Sequence, residues 1–372
     1  LIIRHYLPIP KSNITSSMMY GILRFDNHNS LRVERRSHMM TSRFWNNLSA
    51  SLPAVAVAGA LSVAAFPAHA ENWRGWNVHP DGYPNSVALK FFDEEVSKNT
   101  DGRINPRVYN NAVLGDQPDA IDQTRSGALD FGNFNMGPMG PIVPETDVLS
   151  LPFLFDSVDQ MYRVMDGDIG KRFADALAEK DLIALSWFGS GARSFYNTDH
   201  PIEGPDDVKG LKLRVMNNDL YVDMVDALGG NATPMSYGEV FQSLKTGVID
   251  GAENNFPSFE SSNHYEVAKY FSETGHLIIP ECLCVAKSSW NELSDEDKSI
   301  VRKAAEDAAQ KQRELWKEGA EKSREKVEAA GVKVNEVKDK AAFQKRMEPI
   351  YQAFIKEHPD LESLIDDIRN TQ

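Results

Sequence analysis

Three stretches of the chain set polar, chemistry-bearing side chains at the ends of apolar runs. In KGLKLRVMNN (Lys209–Asn218), Arg214 closes a short apolar segment just before a helical pattern. That is where α/β folds collect ligands, and a guanidinium there can grip a carboxylate through two parallel hydrogen bonds. Position alone suits an inter-strand ion pair equally well. In GSGARSFYN (Gly189–Asn197), glycines flank Arg193 and let the backbone approach a ligand; a plain turn with an exposed arginine reads the same way. In TGVIDGAENNFPSF (Thr246–Phe259), an apolar run ends in Glu253-Asn254-Asn255. Amides there can donate to and accept from hydroxyls or carboxylates, or they can cap the helix that follows.

Other chemistry is missing. The sequence holds no G-x-x-x-x-G-K-[ST], no G-x-S-x-G, no H-E-x-x-H and no G-x-G-x-x-G after a strand pattern. Asp166-Gly167-Asp168 opens like a calcium loop, but Leu177 stands where the loop needs its glutamate. His264 and His276 lack a third ligand at metal spacing and read as structural histidines. Cys282 and Cys284 are two residues apart on an apolar strand pattern. On an extended strand they share a face but stand too far apart for easy bridging, and two cysteines do not make a zinc site. They are expected to be buried thiols, and neither a metal nor a cofactor is expected.

The chain is acidic, with 54 Asp+Glu against 40 Lys+Arg and a formal net charge of −14 over 372 residues. That argues against nucleic acid and against a polybasic membrane surface. An acidic protein that binds an anion must rely on local, desolvated arginines, so Arg193 and Arg214 make a coherent pair. The length suits two domains or two lobes.

Charge is uneven along the chain. Residues 1–70 hold seven basic residues and two acidic ones. The apolar run Leu48–Phe66 follows Arg43 and ends at Ala68-His69-Ala70. This pattern predicts a secretory signal peptide over 39–70, with translation starting at Met39 or Met40, residues 1–38 an over-extended start, and the exported protein beginning at Glu71. An uncleaved anchor is the competing reading.

The remaining patterns alternate strand and helix. Helices are predicted at Pro84–Lys98, from a cap at Asp116 to Ser126, at about 157–180 with a turn at Gly167-Asp168, at Asn218–Leu228 and at Tyr237–Lys245. Strands are predicted at Arg103–Tyr109, Leu129–Phe134, Leu182–Phe188, Ser194–Asn197, Leu211–Val215, Asn231–Pro234, Val248–Glu253 and Leu277–Ala286. A long polar helix runs from Ser294 to Ala330 and lacks a sustained heptad, so it reads as a strut. The alternation argues an α/β fold with largely parallel sheets.

Taken in order, these segments resemble the solute-binding proteins of TRAP transporters, the dicarboxylate-type DctP family. The resemblance covers TDGRINPRVYNNAVLGD (100–116), SGALDF (126–131), LPFLF (151–155), DGDIGKRF (166–173), PIEGPDDVKGLKLRV (201–215), EVFQSLKTGVIDGAENN (239–255) and HYEVAKYFSETGHLIIPE (264–281). It implies two α/β lobes joined by a hinge and spanned by the long helix: lobe I over 71–191 plus about 280–319, lobe II over 192–279 plus about 320–372. It also implies a periplasmic monomer that closes on a small organic acid and hands it to a membrane permease. The family's carboxylate-binding arginine matches Arg214, and its second arginine matches Arg193. Asn254 matches the asparagine of the D-G-x-E-N motif, and Tyr237 an aromatic that is often phenylalanine. His79, Asp116 and Asn135 match ligand-facing positions of the first lobe, and Asn217 is a further position after Arg214.

Many members read E-N-P where this chain reads Glu253-Asn254-Asn255-Phe256-Pro257. That variant resembles the subgroup that takes sugar acids, above all hexuronates such as glucuronate and galacturonate. A C4-dicarboxylate or 2-oxo acid binder is the alternative within the family. An exported uronate-processing enzyme, with Asp116, Glu253 or His79 as acid and base, is the alternative outside it.

Overall fold

A computed structural model describes residues 70–371. The expected signal peptide and over-extended start lie outside the described residues, save Ala70. Among the described residues no helix is long and apolar enough to cross a membrane.

Among the described residues nine strands form one mixed sheet: β1 (Glu71–Asn77), β2 (Ile104–Tyr109), β3 (Phe131–Asn135), β4 (Leu182–Asn197), β5 (Lys212–Val215), β6 (Asn231–Pro234), β7 (Gly251–Asn254), β8 (Tyr270–Ala286) and β9 (Lys333–Glu336). Their order is β2-β1-β3-β8-β4-β7-β5-β6, with β9 on β8. The fold is the two-lobed α/β architecture, and the sheet shows how the lobes are joined. One wing pairs β1 with β2 and β3 in parallel; the other pairs β5 with β6 and β7 in parallel. The long strands β4 and β8 run antiparallel through both wings, from Leu182 opposite Ala286 to Asn197 opposite Tyr270. The expectation of largely parallel sheets therefore holds within each wing and fails at the centre, where β3–β8, β8–β4 and β4–β7 are all antiparallel.

Gly189-Ser190-Gly191 does not break the chain into two strands, as the sequence pattern suggested. It sits inside the 16-residue β4 as a register shift between Gly189 and Ala192. Gly191 takes a φ of 63°, open to glycine at little cost. Added Cβ atoms would meet the Tyr162 ring at Gly189 and the Trp316 ring at Gly191. The glycines serve close packing and a bend, as bulges do.

The helix Asp295–Ala329 has 35 residues, roughly 50 Å at 1.5 Å per residue. Ser294 caps it by accepting from the Asp297 N–H. Val301, Ala304, Ala305 and Ala308, at helical spacing, pack with Trp73, Phe92, Phe131 and Phe188 under the first wing. Val327 packs with Tyr196, Phe259 and Phe271 under the second. One apolar stripe thus braces both halves.

The cysteines depart from expectation. Cys282 and Cys284 are joined as a disulfide, with Cα atoms 5.5 Å apart. An ideal strand would separate them by about 6.6 Å. β8 is contracted between the two residues, opposite a register shift between Ala184 and Ser186 of β4, and 5.5 Å is the common Cα separation of a bridged pair.

Candidate functional site

The wings meet over a cavity of about 110 Å³. It opens at strand ends: His79 follows β1, Asn135 ends β3, Arg214 lies in β5 and Asn254 ends β7, while β4 and β8 bring Arg193 and Glu281. Strand ends at the junction of two α/β halves are where backbone and side chains converge on a shared crevice. All eight residues singled out from the sequence line this one cavity: His79, Asp116, Asn135, Arg193, Arg214, Asn217, Tyr237 and Asn254. Among the described residues, no three His, Cys, Asp or Glu side chains come together as a metal site.

The two arginines differ. Arg193 is 4 % exposed and saturated from behind. Its Nε donates to Glu253 Oε2 at 2.6 Å, and its Nη2 donates to Glu253 Oε1 at 2.8 Å and to the Glu253 carbonyl at 2.9 Å. Its Nη1 donates to Asn254 Oδ1 at 3.0 Å. Burial works against both charges, but the mutual contact wins. It drives Arg193 above its ordinary value, and, with His276, holds the Glu253 carboxyl down to about 2. His276 is fixed by Thr274 Oγ1 at 2.7 Å and stacks on Phe195.

Arg214 is equally buried, yet has no carboxylate within 4 Å among the described residues. Its Nε and Nη2 donate to one neutral acceptor, the Met235 carbonyl, at 2.9 and 2.8 Å. Burial pulls this guanidinium below its ordinary value. The Tyr237 ring lies 5.8 Å from its Cζ, within cation–π range. The Tyr237 hydroxyl is occupied with the Ser258 carbonyl and Ser262 Oγ, so the ring, not the hydroxyl, serves the cavity. His264 stands behind, bonded through Nδ1 to Tyr196 Oη at 2.7 Å. Burial, with Arg214 nearby, pushes it down to about 3, so it is neutral at pH 7.

The amides are oriented by their own oxygens. Asn254 Oδ1 accepts from Arg193 and from the Asn255 N–H; Asn135 Oδ1 accepts from the Gly137 N–H. Neither Nδ2 has a partner among the described residues, which leaves two donors for hydroxyl or carboxylate oxygens. Asn255 takes the capping role: it accepts from the Ser258 N–H at 2.8 Å, at the start of the helix Phe256–Ser261. The two readings of Asn254-Asn255 are thus divided between the two residues. Asp116 departs from its expected role as a cap. It precedes the helix Gln117–Arg125 without a side-chain capping bond, and accepts from Ser236 Oγ across the cavity. Asn217 is exposed at the rim.

Sequence reasoning missed Glu281. This carboxylate, 2 % exposed, accepts from His79 Nε2 at 3.3 Å, from Asn85 Nδ2 at 2.7 Å, and from Asn133 Nδ2 and Ser190 Oγ. Burial would raise its pKa; His79, Ser190 and Asn133 bring it down to about 2. The one visible signal was a lone acid inside an apolar strand, in HLIIPECLCV. Ser236 and Asn255 were likewise missed as lining residues.

Comparison with known proteins gives consistent matches. Residues 76–358 match the family described as bacterial extracellular solute-binding protein, family 7 (DctP). A solute-binding protein of Chromohalobacter salexigens is 70 % identical over 305 residues, 82 % of this chain and 91 % of that one. The crystal structure of a TRAP periplasmic solute-binding protein from Chromohalobacter salexigens, with bound D-glucuronate, superposes with a TM-score of 0.80 at 71 % identity, covering 81 % of this chain and all of that one. One from Sulfitobacter sp. NAS-14.1, with bound β-D-galacturonate, gives 0.80 at 51 % identity with the same coverage.

Proposed function

Because the chain belongs to the bacterial extracellular solute-binding proteins of family 7, the DctP family, it is the solute-binding protein of a TRAP transporter, and we propose that its ligand is a hexuronic acid, D-glucuronate or D-galacturonate. The observation that carries the ligand reading is Arg214, a buried guanidinium with no counter-ion among the described residues. A buried charge without a partner is costly. A ligand carboxylate supplies the missing anion through Nη1 and the remaining Nη2 hydrogen. The relatives that hold glucuronate and galacturonate support the choice of acid.

The other side chains take complementary roles. Arg193, neutralised by Glu253, positions Asn254 and offers one spare N–H. Asn254 and Asn135 donate to ring or hydroxyl oxygens, His79 and Asp116 face the hydroxyls, Tyr237 packs on the carbon skeleton, and Asn217 guards the rim. Lobe I takes 71–191 and about 280–319, and lobe II takes 192–279 and about 320–372. β4 and β8 cross between them as the hinge. Ligand that touches both lobes only when they are shut favours the shut state by that difference in contacts. The protein works as a periplasmic monomer, releases its ligand unchanged rather than transforming it, and delivers it to the membrane permease.

Thermal unfolding with added acids tests the reading. A ligand that binds only the folded protein stabilises by RT ln(1 + [L]/Kd), about 4 kcal/mol at a thousandfold excess over Kd. The expected result is a large shift with D-glucuronate or D-galacturonate and none with succinate. A shift with succinate alone overturns the ligand and keeps the family. Recovery of altered sugar from the mixture overturns the binder.

A further inference from the structure

We propose that Glu281 is a specificity-determining residue: it limits the cavity to ligands with one carboxylate and turns away aldaric acids, the doubly oxidised counterparts of the hexuronates. The proposal rests on the hexuronate reading and extends it to the end of the sugar far from Arg214.

The charges around the cavity fall into three sets. Arg193 and Glu253 cancel one another through two short hydrogen bonds. Arg214 is a cation without an anion within 4 Å among the described residues. Glu281 is the reverse, a buried carboxylate with no lysine or arginine within 4 Å among the described residues; its partners are one histidine, two amides and a hydroxyl. Those four donors occupy both of its oxygens, so it stands as a fixed charge in the wall and not as a free acceptor. Asp116, also on the wall, adds a second negative charge.

Position supplies the rest. Glu281 is on β8 and Arg214 on β5, with β4 and β7 between them. Arg214 is level with Ala252 of β7, Tyr196 of β4 and Phe271 of β8, so Glu281 stands both across the sheet and further along it, at the other end of the cavity that both residues line. A six-carbon acid with its carboxylate on Arg214 extends its far carbons toward Glu281. In a uronic acid those carbons carry a neutral hemiacetal. In an aldaric acid they carry a second carboxylate, which meets like charge in a site with no unpaired cation left. Rejecting a competitor by an unfavourable contact is how close analogues are separated when their favourable contacts are shared.

The experiment is calorimetric titration of the purified protein and of Glu281→Gln with D-glucuronate and with D-glucarate. For the unaltered protein, glucuronate is expected to bind at least about 100-fold more tightly than glucarate, as for like charges brought together in a desolvated site. In Glu281→Gln, that ratio is expected to fall by about tenfold or more. Parity of the two acids in the unaltered protein overturns the proposal. So does an unmoved ratio in a folded Glu281→Gln that still takes up glucuronate. A role confined to holding His79, Asn85 and Asn133 in place would weaken both acids together and leave the ratio alone. If Glu281→Gln does not fold, His79→Lys, which sets a cation against Glu281, is expected to lower the ratio in the same direction, and no change there overturns the proposal. Failure of the unaltered protein to bind any hexuronate would instead be a failure of the underlying reading, visible before any variant is made.

Discussion

Arg193 and Arg214 are two strands apart in the same sheet, equally buried, and line the same cavity, yet they are opposite electrostatic objects. Arg193 has its own carboxylate in the protein. Arg214 has a backbone carbonyl and an aromatic face. The first is already paired; on the proposed reading the second is left for the ligand. Burial and residue type alone do not tell a binding arginine from a structural one. What tells them apart is whether the protein already supplies the anion.

That contrast is open to direct attack. The largest effect is expected at Arg193. Arg193→Ala leaves Glu253 buried with only His276 beside it, and removing one partner of a buried pair costs about 3–5 kcal/mol. Urea unfolding of the ligand-free protein should show this loss; an unchanged midpoint would mean that Glu253 finds another partner. Arg214→Ala should behave in the opposite way. It removes an uncompensated buried cation, so ligand-free stability should hold or rise. Affinity for D-glucuronate should drop by about 2–5 kcal/mol, some 30- to 5,000-fold. Calorimetry reads the second number, and a variant that binds as tightly as the parent removes Arg214 from its assigned place.

A smaller effect sharpens the same comparison from behind Arg214. His264 is buried and held neutral, at about 3 in the folded protein against 6.5 unfolded. A depressed folded-state pKa gives stability that is fully present above 6.5 and lost as pH falls toward 3. Between pH 7 and pH 5 the unfolded chain takes up this proton and the folded one does not, which costs about 2 kcal/mol. Unfolding midpoints of the parent and of His264→Gln at the two pH values should differ in slope by that amount. Equal slopes would mean that His264 titrates normally in the fold.

Much of the site was legible because polar side chains closing apolar strands are conspicuous. Arg214, Asn254 and Asn135 were found that way or by resemblance, and all eight chosen residues share one cavity. What was not legible depends on partners far away in sequence. The pairing of Arg193 with Glu253 spans 60 residues, that of Asp116 with Ser236 spans 120, and that of Glu281 with His79 spans 202. No local pattern reports such distances. Helix ends with local caps, such as Ser294, Asn218 and Ser157, were read within a residue or two. The central sheet was misread for a related reason: a bulged strand and two strands with a loop share one local signature, and only the unbroken partner strand β8 distinguishes them.

The disulfide is the clearest case of geometry that residue types do not foretell, and it sets the smallest expected effect. Cys282 follows Glu281 directly and Cys284 lies two residues further on, in β8, the strand that runs through both wings. Their spacing argued against a bridge only because an unperturbed strand was assumed. A loop this short removes little freedom from the unfolded chain, about 1.5 kcal/mol on the loop-entropy account. Reduction, or Cys282→Ser with Cys284→Ser, should therefore lower stability by no more than about that. Glucuronate affinity should be unaffected, because both cysteines are fully buried and neither lines the cavity, Cys282 lying between Phe134 of β3 and Trp187 of β4 and Cys284 between Gly132 and Ala184. The intact mass before and after reduction and alkylation establishes the bond. A larger loss, or a change in affinity, would mean that the contraction of β8 helps to hold Glu281 against the cavity, and the bridge would then belong to the binding machinery rather than to the scaffold.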